Sequence, residues 1–255
     1  MQFASDDNLA AKLAHNRFTG TPSPLRFDVL SSRSDASAVQ LEALGAYSPD
    51  FRGYALTGTK ADCRVVLGLS EPVFGPIPSR DLFGTDEHVA LPLGLIGAQC
   101  ELVFTLGRSY PDRDESIDRE SVALAIVACR PSISLVGRRT VGAPRNDIAA
   151  IADFGLHVAT ICGKPVRTDW LELSESAMTA RIDGKTVMTG MGNGICHHPL
   201  DAVAWLARKL VRGGKQIGAG DIVATGSCVP ILQILPGQRL SVAFAGVGEV
   251  SCSFV

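Results

Sequence analysis

Two periods alternate along this chain, one of helical spacing and one of two residues, and their order sketches the fold. Leu9, Leu13 and Phe18 recur at helical spacing behind Ser5 or Asp6, either of which suits a helix cap, and Gly20-Thr21-Pro22 stops the run. A second helix is predicted over 36–44, carrying Val39, Leu41 and Leu44 and ended by Gly45. After Gly53 the apolar residues fall into short runs broken by Gly and Pro, at 64–69, 73–76 and 89–93, which predict short strands and turns. The change of pattern sets a soft boundary near residue 80, between an N-terminal α+β subdomain (1–80) and a larger domain (81–255).

Beyond the boundary, 99–106 predicts a strand, and the turn at 111–114 leads into a helix over 116–129 with Asp118 and Glu120 in its first turn. Pro131 then opens a strand over 132–136, the mixed stretch 138–148 predicts a loop, and 158–162 and 177–182 predict further strands. Asp183-Gly184 is a hairpin signal. From Pro199 the period is helical again, with Leu200, Val203, Leu206, Ala207 and Leu210 on one face, Lys209 and Arg212 late, and Gly213-Gly214 as the stop. Strands follow at 222–224, 240–244 and 250–254, the last two strictly alternating. The set describes a mixed α+β protein of short strands with a small helical N-terminal part.

A chain of 255 residues can bury a full core. A net charge of -2, with no basic run longer than Arg138-Arg139, argues against nucleic acid as a partner. Residues 1–20 contain Asp6, Asp7, Lys12 and Arg17, so they form neither a signal peptide nor a span, and no membrane role is expected. The 7 cysteines include no Cys-x-x-Cys pair, which fits a cytoplasmic protein with reduced thiols. Cys100, Cys162 and Cys252 sit in apolar or alternating runs and read as small buried hydrophobes. His197-His198 precedes a helix and reads as a cap or surface pair, and Gly190-Met191-Gly192-Asn193-Gly194 lacks the lysine and hydroxyl of a phosphate loop.

Several longer runs carry a resemblance: Glu71-Pro72-Val73-Phe74-Gly75, then 101–107, the helix start His198-Pro199-Leu200-Asp201, Ala219-Gly220-Asp221 through Thr225-Gly226-Ser227, Pro236-Gly237-Gln238 and Gly246-Val247-Gly248. Together they resemble the fumarylacetoacetate hydrolase superfamily, in the branch of 2-keto-4-pentenoate hydratases and 2-keto acid decarboxylases. The resemblance spans almost the whole chain. It implies a fumarylacetoacetate-hydrolase-like mixed β fold, a β-roll, with 81–255 as the catalytic domain.

The same resemblance implies a divalent ion, Mg2+ or Mn2+, held by three carboxylates, and here the matching positions are Gln99, Glu101 and Ser134. Two of the three charges are therefore missing. Each contact of unit charges about 4 Å apart is worth about 4 kcal/mol gross at an effective dielectric of about 20, so ion binding is expected to be weak. Ala55 stands where the family has its lysine. Asp153 matches a family Asp, and His157 appears where small hydroxyl residues are usual, which makes Glu101, His157 and Asp153 the candidates for proton transfer. Arg139 matches a family arginine suited to a substrate carboxylate, with a structural salt bridge as the equal alternative. Thr225, Gly226 and Ser227 would offer amides and hydroxyls to an oxyanion.

These implications describe a lyase acting through an enolate on a small 2-keto or 2-hydroxydienoate acid, in a homo-oligomer. Two alternatives stay open. One is a metal-independent lyase, isomerase or C–C hydrolase; the other is an inactive paralogue that binds a ligand or partners an active homologue.

Overall fold

The computed structural model describes residues 8–255. Helix α1 (Leu9–Thr19) is capped by Asn8, whose side chain accepts from the Ala11 amide, and Gly20 closes it in the left-handed region. Ser5 and Asp6, the expected caps, lie outside the described residues. After β1 (Ser23–Pro24), α2 runs from Arg33 to Tyr47 behind a capping box of Ser32 and Asp35. Gly45 lies inside this helix and does not end it. A single glycine costs a helix about 1 kcal/mol, and Ala43 and Leu44 beside it are buried against Ala149, Ala152 and Phe154.

Strands β2 (Phe51–Thr57) and β3 (Val73–Pro78) flank helix α3 (Ala61–Leu67). The run at 64–69, expected as a strand, is largely the end of this helix. Val65 and Val66 face solvent while Cys63 and Leu67 are buried, a helical pattern that so short an apolar run does not reveal. Then come β4 (Leu82–Gly84), β5 (His88–Val89), β6 (Leu95–Leu106), α4 (Arg119–Ala125) and β7 (Ile126–Gly137). Helix α4 is shorter than the predicted 116–129 because Ile126, Ala128 and Cys129 pair with Leu106, Thr105 and Phe104 of β6. Pro131 accordingly lies within β7.

The expected loop at 138–148 holds β8 (Thr140–Val141) and the start of α5 (Asp147–Ala152). Next are β9 (His157–Cys162), β10 (Ala177–Ile182) and β11 (Lys185–Met191), the last two joined through Asp183-Gly184. The amphipathic α6 (Pro199–Arg212) and strands β12 (Ile222–Ala224), β13 (Arg239–Phe244) and β14 (Gly248–Phe254) complete the chain.

A seven-stranded sheet in the order β3-β2-β12-β6-β7-β9-β4 takes strands from both sides of residue 80 and curls into a half-barrel. A five-stranded sheet, β11-β10-β13-β14-β5, lies beside it. Leu102, Phe104 and Ile133 on one face of the larger sheet join Leu206 of α6 and Val242 and Phe254 of the smaller sheet in the main core. The opposite, inner face carries a small apolar cluster of Ala55, Ile77, Val103, Ile222 and Ala224. Beside it lies a band of polar side chains. Among the described residues no helix is long and apolar enough to cross a membrane.

Candidate active site

Alternation along β6 sends Cys100, Leu102 and Phe104 into the main core and Gln99, Glu101 and Val103 to the inner face. The antiparallel register sets Ser134 opposite Gln99 and Ser132 opposite Glu101, and β9 brings Thr160 opposite Ser134. Gln99, Glu101 and Ser134 are thus brought together, as expected. Glu101, Ser134 and Thr160 are all 0% exposed.

Glu101 Oε2 accepts the Gly226 amide at 2.5 Å, while Oε1 has no partner of full hydrogen-bond geometry among the described residues. Burial pushes its carboxyl up to about 8, against the lowering influence of the adjacent Ser134 hydroxyl and the Gly226 amide. Its surroundings therefore favour the uncharged form of the carboxyl. Gln99 Nε2 donates to the Leu56 carbonyl at 3.2 Å, and Gln99 Oε1 has no partner among the described residues.

The turn carrying Thr225, Gly226 and Ser227, expected to grip a substrate oxyanion, is bound to β6 in this structure. Thr225 Oγ1 donates to the Leu102 carbonyl at 2.8 Å, and Ser227 Oγ accepts the Cys100 amide at 3.1 Å, so both hydroxyls fasten the turn to β6. The Gly226 amide is aimed at Glu101. Glycine is needed at 226 on two counts: φ is 81°, and an added Cβ would lie 2.3 Å from Thr59 Oγ1.

Arg139 and Asp153 are also turned inward. Arg139 Nε donates to Asp153 Oδ1 at 2.5 Å, and Nη1 and Nη2 donate to the His157 and Asp153 carbonyls at 2.8 Å. Asp153 Oδ2 accepts the Arg139 amide at 3.0 Å. The guanidinium fork and the carboxylate are thus spent on each other in a buried pair, which favours the salt-bridge alternative over substrate capture or proton transfer.

His157 is buried near them, and Arg17 Nη2 lies 3.0 Å from its Nδ1. Burial, then the charges of Arg17 and Arg139, hold its pKa well below the ordinary histidine value. His157 Nε2 contacts Thr160 Oγ1 at 3.0 Å, and Thr160 Oγ1 contacts Ser134 Oγ at 2.9 Å. His157 therefore reaches Glu101 only through two hydroxyls. Arg17 and Thr160, which complete this path, carry no motif and escaped the sequence reading. At the family's lysine position Ala55 is buried in the apolar cluster, and Lys60 Nζ sits 3.8 Å from Asp62.

Residues 68–255 match the family model described as fumarylacetoacetate (FAA) hydrolase C-terminal. The chain belongs to that family. Among its relatives, a 2-keto-4-pentenoate hydratase of Paraburkholderia xenovorans is 31% identical over 192 residues, covering 74% of this chain and 70% of the relative. The 2-keto-4-pentenoate hydratase 2 of Dechloromonas aromatica is 30% identical and covers 99% of this chain and 98% of its own. The fold is shared with 4-oxalocrotonate decarboxylase from Pseudomonas putida G7 complexed with calcium and acetate, at a TM-score of 0.84, 19% identity and complete coverage (100%) of both chains. Fumarylpyruvate hydrolase from Pseudomonas aeruginosa, in complex with Mn2+ and pyruvate, aligns at a TM-score of 0.60 with 16% identity over 82% of this chain and 91% of that one.

Divalent ions in such neighbours raise the question whether Gln99, Glu101 and Ser134 suit one. Two bare acceptor oxygens, on Gln99 and Glu101, are the favourable feature. Against it, the trio has one carboxylate, half of it taken by the Gly226 amide, and Ser134 is engaged with Thr160. Among the described residues no three His, Cys, Asp or Glu side chains gather in a way that could hold a metal ion. A buried divalent charge beside one carboxylate stays largely uncompensated, so the trio does not fit a resident ion.

Proposed function

We propose that the protein is a lyase of the hydratase or decarboxylase type, acting through an enolate on a small 2-keto or 2-hydroxydienoate acid, with Glu101 as its proton-transfer group. The observation that carries this reading is the state of Glu101: buried, raised to about 8, and held by the Gly226 amide. Ketonisation of a 2-hydroxydienoate delivers a proton to carbon and releases the proton of the enol hydroxyl, and addition of water then releases a proton from water and delivers one to the enolate carbon. A carboxyl that is neutral at rest gives one proton and, as the carboxylate, takes one back in each step, so it ends each step as it began. The amide at Oε2 and the hydroxyl of Ser134 stabilise the carboxylate between giving and taking.

Access to Glu101 is closed by three segments. The turn at 225–228 lies on β6, Thr59 packs on Gly226, and the stretch around Gly194 and Cys196 packs on Cys228 and Thr59. Turnover on this reading requires these segments to part. The closure also favours a second reading, an inactive paralogue that binds a ligand without turnover. All seven cysteines are unpaired, which supports a reducing, cytoplasmic setting, and we extend to this chain the homo-oligomeric state implied by the family resemblance.

The test is turnover of 2-hydroxypentadienoate, followed by loss of dienol absorbance, in wild type and Glu101→Gln, with and without chelator. Turnover by wild type that survives the chelator and is lost in the variant supports the proposal. Binding of the substrate by calorimetry without turnover selects the second reading.

A further inference from the structure

The hydroxyl path behind Glu101 has a fixed direction, set at its far end. A guanidinium has no lone pair to offer, so a hydrogen on His157 Nδ1, 3.0 Å from Arg17 Nη2, would face donor N–H groups unbonded; Nδ1 is instead an acceptor that shares the two Nη2 hydrogens with Asp81 Oδ2 and the Val158 carbonyl. The ring then carries its hydrogen on Nε2, which donates to Thr160 Oγ1 at 3.0 Å. Thr160 has one hydrogen of its own. Its other hydroxyl neighbour is Ser134 Oγ at 2.9 Å, and if Thr160 accepted there as well its buried hydrogen would go unbonded. Thr160 therefore donates to Ser134, and the Ser134 hydrogen is left to point elsewhere. Glu101 Oε1, beside Ser134 on the same inner face, is the oxygen still lacking a partner among the described residues, and it becomes the acceptor for that hydrogen when Glu101 is a carboxylate.

Arg17 is anchored for this task. Its Nε and Nη2 donate to Asp81 Oδ2 at 3.0 and 2.7 Å, Nη2 also meets the Val158 carbonyl at 3.0 Å, and its guanidinium lies over the Phe154 ring at 4.4 Å. The Tyr47 hydroxyl donates to the other Asp81 oxygen at 2.8 Å. Helix α1 thereby sets the tautomer of a histidine on β9.

We propose that Arg17, His157 and Thr160 are positioning residues that turn the Ser134 hydroxyl hydrogen onto Glu101 Oε1. With the Gly226 amide on Oε2, both carboxylate oxygens then accept a hydrogen bond once the proton has left. The arrangement favours the conjugate base that forms during turnover, and it rests on the reading of Glu101 as the proton-transfer group.

Two measurements test it. Nitrogen-15 NMR of histidine-labelled wild-type protein should show His157 as the neutral Nε2–H tautomer; an Nδ1–H tautomer or an imidazolium at neutral pH overturns the direction of the chain, whatever the activity. Thr160→Val, which keeps the shape and removes the hydroxyl, should lower kcat about 10- to 100-fold with KM unchanged, the scale of one charge-assisted hydrogen bond. Thr160→Ser should restore it. Full activity of Thr160→Val alongside an inactive Glu101→Gln overturns the positioning role and leaves the Glu101 reading intact, whereas an active Glu101→Gln overturns that reading itself. Should Thr160→Val fail to fold, the wild-type tautomer and the Thr160→Ser rate still decide.

Discussion

Asp153→Asn is predicted to be a stability variant and not a binding variant. The substitution keeps the shape of the side chain and removes its charge, leaving the Arg139 guanidinium, whose side chain is 5% exposed, without its counter-ion. The asparagine amide would also present a donor in place of one of the two oxygens that now accept from Arg139 Nε and the Arg139 amide. Breaking one partner of a buried ion pair costs about 3–5 kcal/mol, a large part of the roughly 5–15 kcal/mol that holds a domain folded. For a chain of this size each kcal/mol moves the melting temperature by about 2–4 °C, so a drop of about 6–20 °C is expected. Thermal melts by circular dichroism read this directly. Arg139→Met on top of Asp153→Asn should recover part of the loss, because it removes the stranded charge. A variant that melts with wild type while its KM for the oxo acid rises would refute the reasoning and return Arg139 to the substrate.

Gly226→Ala should abolish turnover while the protein stays folded, since the added methyl collides with Thr59 Oγ1 at a left-handed backbone position and withdraws the amide from Glu101; wild-type kcat in this variant would count against the site. The raised pKa of Glu101 also has a signature in stability. The unfolded chain loses this proton near 4.5 and the folded protein near 8, so between those values the folded state binds more protons and stability falls as pH rises. At about 1.36 kcal/mol per unit the fall is on the order of a few kcal/mol, and chemical denaturation at a series of pH values should show it in wild type and a flatter profile in Glu101→Gln. Titration calorimetry with magnesium or manganese should detect only weak binding to the protein alone; sub-micromolar affinity would contradict the poor fit of the trio.

Long periodic elements were legible in the sequence, and so was the trio on the sheet. The strict alternation of β6 put Gln99 and Glu101 on one side, and the resemblance supplied Ser134, which the register does set opposite Gln99. Helix α6 and the β10–β11 hairpin appear where their period and their Asp183-Gly184 turn placed them. Elements decided by pairing or packing were not legible. Nothing local tells that Ile126 leaves a helix for a strand, or that Val65 and Val66 lie on an exposed helix face. The partners of the side chains were not legible for a similar reason. Arg139 and Asp153 were each matched to a family position, yet what they do is set by their mutual contact. Arg17 meets His157 across 140 positions of sequence, a link no motif or spacing encodes.

The central claim, that Glu101 moves the proton, is tested most directly by the steady-state rate of Glu101→Gln on 2-hydroxypentadienoate, measured with protein shown to be folded by circular dichroism. Removing a general acid–base group costs about 100-fold or more, so kcat should fall at least that far, with or without added magnesium. A variant that turns the substrate over at the wild-type rate would contradict the account and send the search for the reacting group to another part of the fold.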